Sequence, residues 1–152
     1  MPGLGLLDSG PPIDGYAVSA TAVMVNGNTI FTVANGPIII RALVSLCITN
    51  NNGTASTLQY SVTPTVGAGA QTISAASASL ASATAGASVT LAGTALSTAA
   101  LLNANGPNLI ANPGTIFCPA GIITVVIGVG STTGTWRHHI WYTQLANGVL
   151  VS

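Results

Sequence analysis

The residues able to do chemistry in this chain are few. Two adjacent histidines, His138 and His139, stand inside the run TWRHHIWYTQL, and the ionic side chains beside them are Asp8, Asp14, Arg41 and Arg137. There is no glutamate and no lysine. A zinc site needs three or four His, Cys or carboxylate donors converging on one ion. Neighbours on a strand point to opposite faces, so His138 and His139 do not easily chelate one ion within a single chain. Copies around a symmetry axis, each donating one histidine, are the metal site that stays open. Catalysis requires acids, bases and nucleophiles placed together. A Ser-His-Asp set can be written on paper from the abundant serines, but no G-x-S-x-G turn occurs to present the nucleophile. Asp8 and Asp14 lie in a Gly/Pro-rich stretch, a poor scaffold for a catalytic carboxylate. The expectation is a protein that is not an enzyme and takes no cofactor, metal or small-molecule substrate.

Charge excludes further classes. Charged residues are 3% of the 152 and the formal net charge is zero, against roughly 25% charged in ordinary soluble domains. Duplex nucleic acids are gripped by neutralising phosphates, and two arginines make no footprint for that. Acidic membrane surfaces are disfavoured for the same reason. A chain without net charge also lacks the repulsion that keeps copies apart, which suits packing among other copies. The mean hydropathy of +0.67 raises the question of a membrane span. The longest uncharged tract, 75–104, is Ala, Ser, Thr and Gly, and the apolar runs 38–48 and 120–129 are too short; a spanning helix needs roughly 20 apolar residues. The opening MPGLGLLDSGPP has neither the basic nor the apolar region of a secretory signal.

The elements that must position these residues read as strands. Asn-Gly steps at 26–27, 35–36, 52–53, 105–106 and 147–148 mark tight turns, and Gly-Pro and Asn-Pro steps add breaks. Between them the pattern predicts strands near 16–25, 29–34, 38–49, 56–63, 71–79, 87–92, 115–118, 121–129 and 135–145. The segment 94–104 is the one plausible short helix, while Ser, Thr and Gly86 turn the Ala-rich tract 74–88 toward extended chain. The fold class is all-β: a jelly-roll-like β-sandwich over residues 16–152, preceded by an extended N-terminal arm over 1–15. Asn52-Gly53-Thr54 matches a glycosylation sequon but reads as a turn, and Cys47 and Cys118 read first as buried hydrophobes, with a disulfide across the sandwich left open.

Two strands hold the candidate interface. Unbroken alternation over 38–48 places Ile38, Ile40, Ala42, Val44, Leu46 and Ile48 on one face and Ile39, Arg41, Leu43, Ser45 and Cys47 on the other. Both faces are apolar, so the second is expected to be covered by another subunit. Arg41, buried in this reading, needs Asp8, Asp14 or backbone carbonyls as partners. In the last strand Trp136, His138, Ile140 and Tyr142 share a face opposite Arg137, His139, Trp141 and Thr143. Trp, Tyr and Arg are the usual anchors of protein contacts, although packing of both tryptophans in the core is an even alternative. The interface set is therefore Asp8, Asp14, Ile39, Arg41, Leu43, Trp136, Arg137, His138, His139, Trp141 and Tyr142.

GNTIFTVANGPIIIRALVSLCITNN resembles the opening of small tailed-bacteriophage virion proteins, G-x-x-[IL]-F-T-V-x-G-G-P-[IL]-x-[IL]-x-x-L. PAGIITVVIGVGSTTGTWRHHIWYTQLANGVLV is similar to that family's ending, P-A-G-x-I-x-L followed by T-G-x-x-x-W-x-[IL]-x-Y-x-P-L-x-x-G-x-x-V. Asn35 and Gln144 depart from the Gly and Pro of the pattern, and the two histidines lie outside it. The resemblance implies a capsid cement or decoration protein, made in the bacterial host cytoplasm and bound to the outer capsid surface. Its partners would be the major capsid protein and further copies of itself, with a homotrimer as the expected form. A head or tail fibre, or a carbohydrate- or ice-binding β module, is the alternative; neither fibre repeats nor a Thr-x-Thr ladder is present.

Overall fold

Short runs of β-branched and aromatic residues between turn-forming pairs leave this chain little choice but strands. The computed structural model describes residues 13–67, 69–91, 100–103, 116–129 and 132–152. Twelve strands lie among them: β1 (Asp14–Val18), β2 (Ala22–Val23), β3 (Thr29–Ala34), β4 (Ile38–Cys47), β5 (Leu58–Pro64), β6 (Gln71–Thr72), β7 (Ser88–Thr90), β8 (Leu101–Asn103), β9 (Ile116–Cys118), β10 (Gly121–Ile127), β11 (Thr135–Gln144) and β12 (Leu150–Val151). The turn between β3 and β4 uses Asn35 at φ 64° and Gly36 at φ 144°, the left-handed conformations that Asn and Gly tolerate best.

The strands form two antiparallel sheets packed as a sandwich. The larger runs β1-β11-β4-β7-β8, with β2 beside β11 and β9 beside β4; the smaller runs β12-β3-β10-β5-β6. The two ten-residue strands β4 and β11 pair along almost their whole length at the centre of the larger sheet. Leu43, Ile40, Trp136 and Ile140 face Phe31, Leu58, Tyr60, Ile123 and Val125 of the smaller sheet, all buried.

One irregularity decides which side chains enter that core. Trp141 pairs with Ala42 and Tyr142 with Ile40, so Arg41 has no opposite number. Arg41 is a bulge residue, and a bulge reverses the inward–outward phase of the strand beyond it. Ile38 and Ile40 point inward before it; Leu43, Ser45 and Cys47 point inward after it. The unbroken alternation expected from sequence is thus corrected: Leu43 is wholly buried, and Ala42, Val44 and Leu46 join Ile39 on the outer face. Arg41 itself is exposed rather than buried.

The Ala/Ser tract follows the smaller sheet without being a regular strand beyond Thr72. Ile73, Ser77 and Leu80 donate backbone N–H groups to the carbonyls of Tyr60, Leu58 and Ser56. In return, Ser74 Oγ accepts from the Tyr60 N–H and Ser77 Oγ from the Leu58 N–H, each at 3.0 Å. Serine hydroxyls thereby complete the edge of β5 where a ladder would use carbonyls, and the small neighbours permit the close approach. The expected helix over 94–104 is overturned where it is described: Leu101–Asn103 is β8, paired with β7. The open edge of β7 outweighs the modest helix propensity of three residues. The remainder of that helix, and residues 1–12 of the arm, lie outside the described residues. Asp14 and Gly15, assigned to the arm from sequence, belong to β1.

Two outcomes test this fold. Deleting Arg41 joins Ile40 to Ala42, whose partners Tyr142 and Trp141 are already consecutive, so Leu43, Ser45 and Cys47 stay inward and a cooperative urea transition is expected to survive. Arg41→Ala keeps the bulge and is expected to shift stability by no more than about 0.5 kcal/mol. Gly121 lies between Val33 and Pro64 of its two neighbouring strands. A Cβ there would sit 2.2 Å from the Thr63 carbonyl oxygen and 2.8 Å from Pro64 Cα, backbone that yields little, so Gly121→Ala is expected to lose about 1–3 kcal/mol in the same measurement.

Candidate functional site

The outer face of the larger sheet collects the residues best placed to meet a partner. Adjacent strands carry Tyr16 opposite Trp141 and Val18 opposite His139, so the pleat sets these side chains on one surface. Tyr16 and Trp141 have ring centroids 5.1 Å apart, and His139 lies 6.1 Å from each. The Tyr16 hydroxyl meets His139 Nδ1 at 2.7 Å and fixes the ring. Tyr16 is 52% and Trp141 42% exposed. Beside them Ile39, Ala42, Val44 and Leu46 are half-buried, and Phe117, opposite Ile39 on β9, is exposed.

The charged groups border this patch in a chain of hydrogen bonds. Arg41 Nε donates to Thr143 Oγ1 at 2.8 Å, and Thr143 Oγ1 donates to Asp14 Oδ1 at 2.6 Å. Asp14 thus reaches Arg41 through a threonine, with both at the surface, where an ion pair contributes little. Asp14, Arg41, Trp141 and Tyr142 border a surface cavity of about 330 Å³. Arg137 points outward and donates from Nε to Thr21 Oγ1.

Of the interface set read from sequence, the structure brings together Asp14, Ile39, Arg41, Arg137, His139 and Trp141 on this face. Leu43, Trp136, His138 and Tyr142 are corrected: all four point between the sheets and are buried. Leu43 is turned inward by the bulge, and the other three occupy the inward positions of β11. Asp8 lies outside the described residues. Tyr16, Val44, Leu46 and Phe117 belong to the face but escaped the sequence reading, because partner strands were unknown and β4 changes phase at Arg41.

His138 anchors a buried polar chain instead. Tyr60 OH donates to the Val89 carbonyl at 3.0 Å, Ser45 Oγ lies 2.8 Å from Tyr60 OH, and His138 Nδ1 lies 2.7 Å from Ser45 Oγ. Each hydroxyl owns one hydrogen. Tyr60 spends its own on the carbonyl, so Ser45 donates to Tyr60 and Nδ1–H donates to Ser45. The pair therefore runs opposite to a nucleophile and its base: the serine is fully buried and the histidine gives it a proton-bearing nitrogen. Burial, then the neighbouring His139, lowers the His138 pKa to about 4; burial and the Arg137 charge lower that of His139. Burial raises the Tyr60 phenol, and pushes the Cys118 thiol up to about 12. Cys47 and Cys118 are free and buried. Among the described residues no group of three or more His, Cys, Asp or Glu could hold a metal ion.

The depressed His138 value has a definite consequence for stability. The unfolded histidine, with a pKa near 6.5, takes up its proton before the folded one does, so stability is full above about pH 6.5. It is expected to fall by on the order of 3 kcal/mol as the pH drops from about 6.5 to about 4 and to level off below. His138→Asn retains a donor toward Ser45 and cannot titrate. Urea titrations across this window should show a much flatter profile in that variant; an unchanged slope would place the acid sensitivity elsewhere.

Comparisons of the chain with protein-family models, with curated proteins and with solved structures each find no match.

Proposed function

We propose that this protein is a structural subunit that closes the outer face of its larger sheet against other protein in an assembly. The observation that carries the reading is the composition of that face. A solvated sheet face is ordinarily polar at alternate positions, yet here Ile39, Ala42, Val44, Leu46, Tyr16, Trp141 and Phe117 occupy them. The ten-residue β4 and β11 with the five-residue β1 and three-residue β9, about 4.8 Å apart, cover on the order of 450 Å² before side-chain relief is added. That is more than half of one partner's share, roughly 800 Å², of a standard interface. An exposed apolar patch rimmed by polar groups is the kind of surface that interaction sites use.

The resemblance to bacteriophage virion proteins supports a capsid as that assembly. In this reading the protein is a cement or decoration subunit with jelly-roll wiring, held as a homotrimer on the outer capsid surface against the major capsid protein, and it performs no catalysis. A near ion-free chain fits that role, since assembly surfaces avoid the cost of stripping water from charges. One observation favours a second reading, a carbohydrate-binding module: the exposed Tyr16 and Trp141 rings beside Asp14 and Arg41 offer a stacking platform with polar groups at its rim.

Sedimentation of the purified chain discriminates these. An assembly subunit should run well above the 14.9 kDa of one copy, and a Val44→Lys, Trp141→Lys double variant should return it to one copy with its β circular dichroism intact. Wild-type protein should also co-sediment with phage heads lacking it. A wild-type monomer at tens of micromolar that ignores such heads would refute the proposal, and saturable binding to oligosaccharides by that monomer would establish the second reading.

A further inference from the structure

A cavity of about 310 Å³ opens between the two sheets at the edge where β1 gives way to β2, walled by Val18, Ala22, Met24, Ile30 and Val125, with His138 among its lining residues. Its volume falls at the lower end of the range for small-molecule sites. Asn28, Thr29 and Ser152 add polar atoms to the lining, but no lining side chain bears a formal charge, so no side chain in the wall would offset the desolvation of an ionic guest. Ser19 Oγ, in the same wall, is already engaged, donating to the Ala20 carbonyl and accepting from the His138 N–H.

His138 is 6% exposed, and its ring is held by Nδ1–H donating to Ser45. The hydrogen-bond direction established by Val89, Tyr60 and Ser45 leaves Nε2 as the nitrogen with a free lone pair. Among the described residues Nε2 has no hydrogen-bond partner, and it is not one of the sealed, unpaired polar atoms of the core. We propose that this cavity is a binding site for a small, uncharged, largely apolar molecule carrying one O–H or N–H donor, which His138 Nε2 accepts. The apolar wall supplies affinity by removing the ligand from water. The Nε2 acceptor supplies selection: a buried lone pair left without a donor is penalised, so an analogue lacking its hydrogen binds less well. Such a site is independent of the outer face of the larger sheet, because His138 and His139 point to opposite sides of β11. Assembly and ligand binding therefore succeed or fail separately.

Indole and 1-methylindole are the probes, since they differ at the one hydrogen that matters. With the full-length protein, ¹⁵N NMR of the histidine rings at neutral pH should show His138 as the Nδ1–H tautomer. Its Nε2 signal should shift saturably on adding indole, and 1-methylindole should bind about tenfold more weakly. In His138→Asn, which keeps a donor for Ser45 but has no Nε2, the preference between the two should vanish. The proposal is overturned if wild-type protein carries the Nε2–H tautomer, if indole gives no saturable shift, or if wild-type protein binds both probes equally. The wild-type measurements decide the matter even if the variant fails to fold.

Discussion

The one-residue bulge at Arg41 is the constraint from which the rest of the molecule follows. β4 is apolar at nearly every position, so its sequence could satisfy the core in either phase. The extra residue lets it use both: Ile38 and Ile40 enter before the bulge, Leu43, Ser45 and Cys47 after it. Were Arg41 instead to take a regular place in the ladder after Ile40, Ser45 would face outward, and the chain from His138 through Tyr60 to Val89 would have no middle member. The same step puts the guanidinium of Arg41 outside, where Thr143 and Asp14 receive it. Burial of an arginine with so few acidic partners available would have been costly. The bulge is thus how a strand with an arginine at its middle lies at the centre of a sandwich.

A chain almost without ions must satisfy its polar backbone by other means, and hydroxyls and amides do this throughout. Ser74 and Ser77 complete the edge of β5. Asn51 is buried, with Oδ1 accepting from the Thr133 and Gly134 N–H groups and Nδ2 donating to the Leu80 carbonyl. Thr132 donates to the Met24 carbonyl across 108 positions of sequence. Each such bond contributes only about 1 kcal/mol net, but a buried group left alone costs more than that. These contacts also explain the composition: serine and threonine are small enough to lie against a strand and still carry a donor and an acceptor.

Much of the fold was legible. The turn pairs delimited β3 at 29–34 to the residue, and β4, β5, β10 and β11 within a few positions, because turn chemistry and β-branched runs are local properties. The phase of β11 was also legible, since Trp136, His138, Ile140 and Tyr142 alternate with more polar neighbours. The phase of β4 was not: with both parities apolar there is no signal from which a bulge could be inferred. The serine-capped stretch after Thr72 looked like a strand because it is hydrogen-bonded like one, only partly through side chains. The partners of His138 were illegible for a different reason. Ser45 lies 93 positions away, and nothing in a sequence pairs an inward serine with a particular inward histidine.

His138 and His139 divide the molecule's chemistry between its two surfaces. One faces the space between the sheets and is held neutral; the other stacks beside Tyr16 and Trp141 on the outside. Of the ions on the outer face, Asp14 and Arg41 border the apolar patch and are already joined through Thr143, while Arg137 donates to Thr21. Covering the Asp14 and Arg41 end of that face would therefore bury a neutral, internally hydrogen-bonded set rather than two bare charges, and the desolvation penalty that opposes burying ions is correspondingly reduced there. Apolar side chains at Ile39, Val44 and Leu46 gain from the same covering. The physics of the proposed contact is in this respect the physics of the core on the other side of β4: few charges, each answered locally, and the remainder apolar.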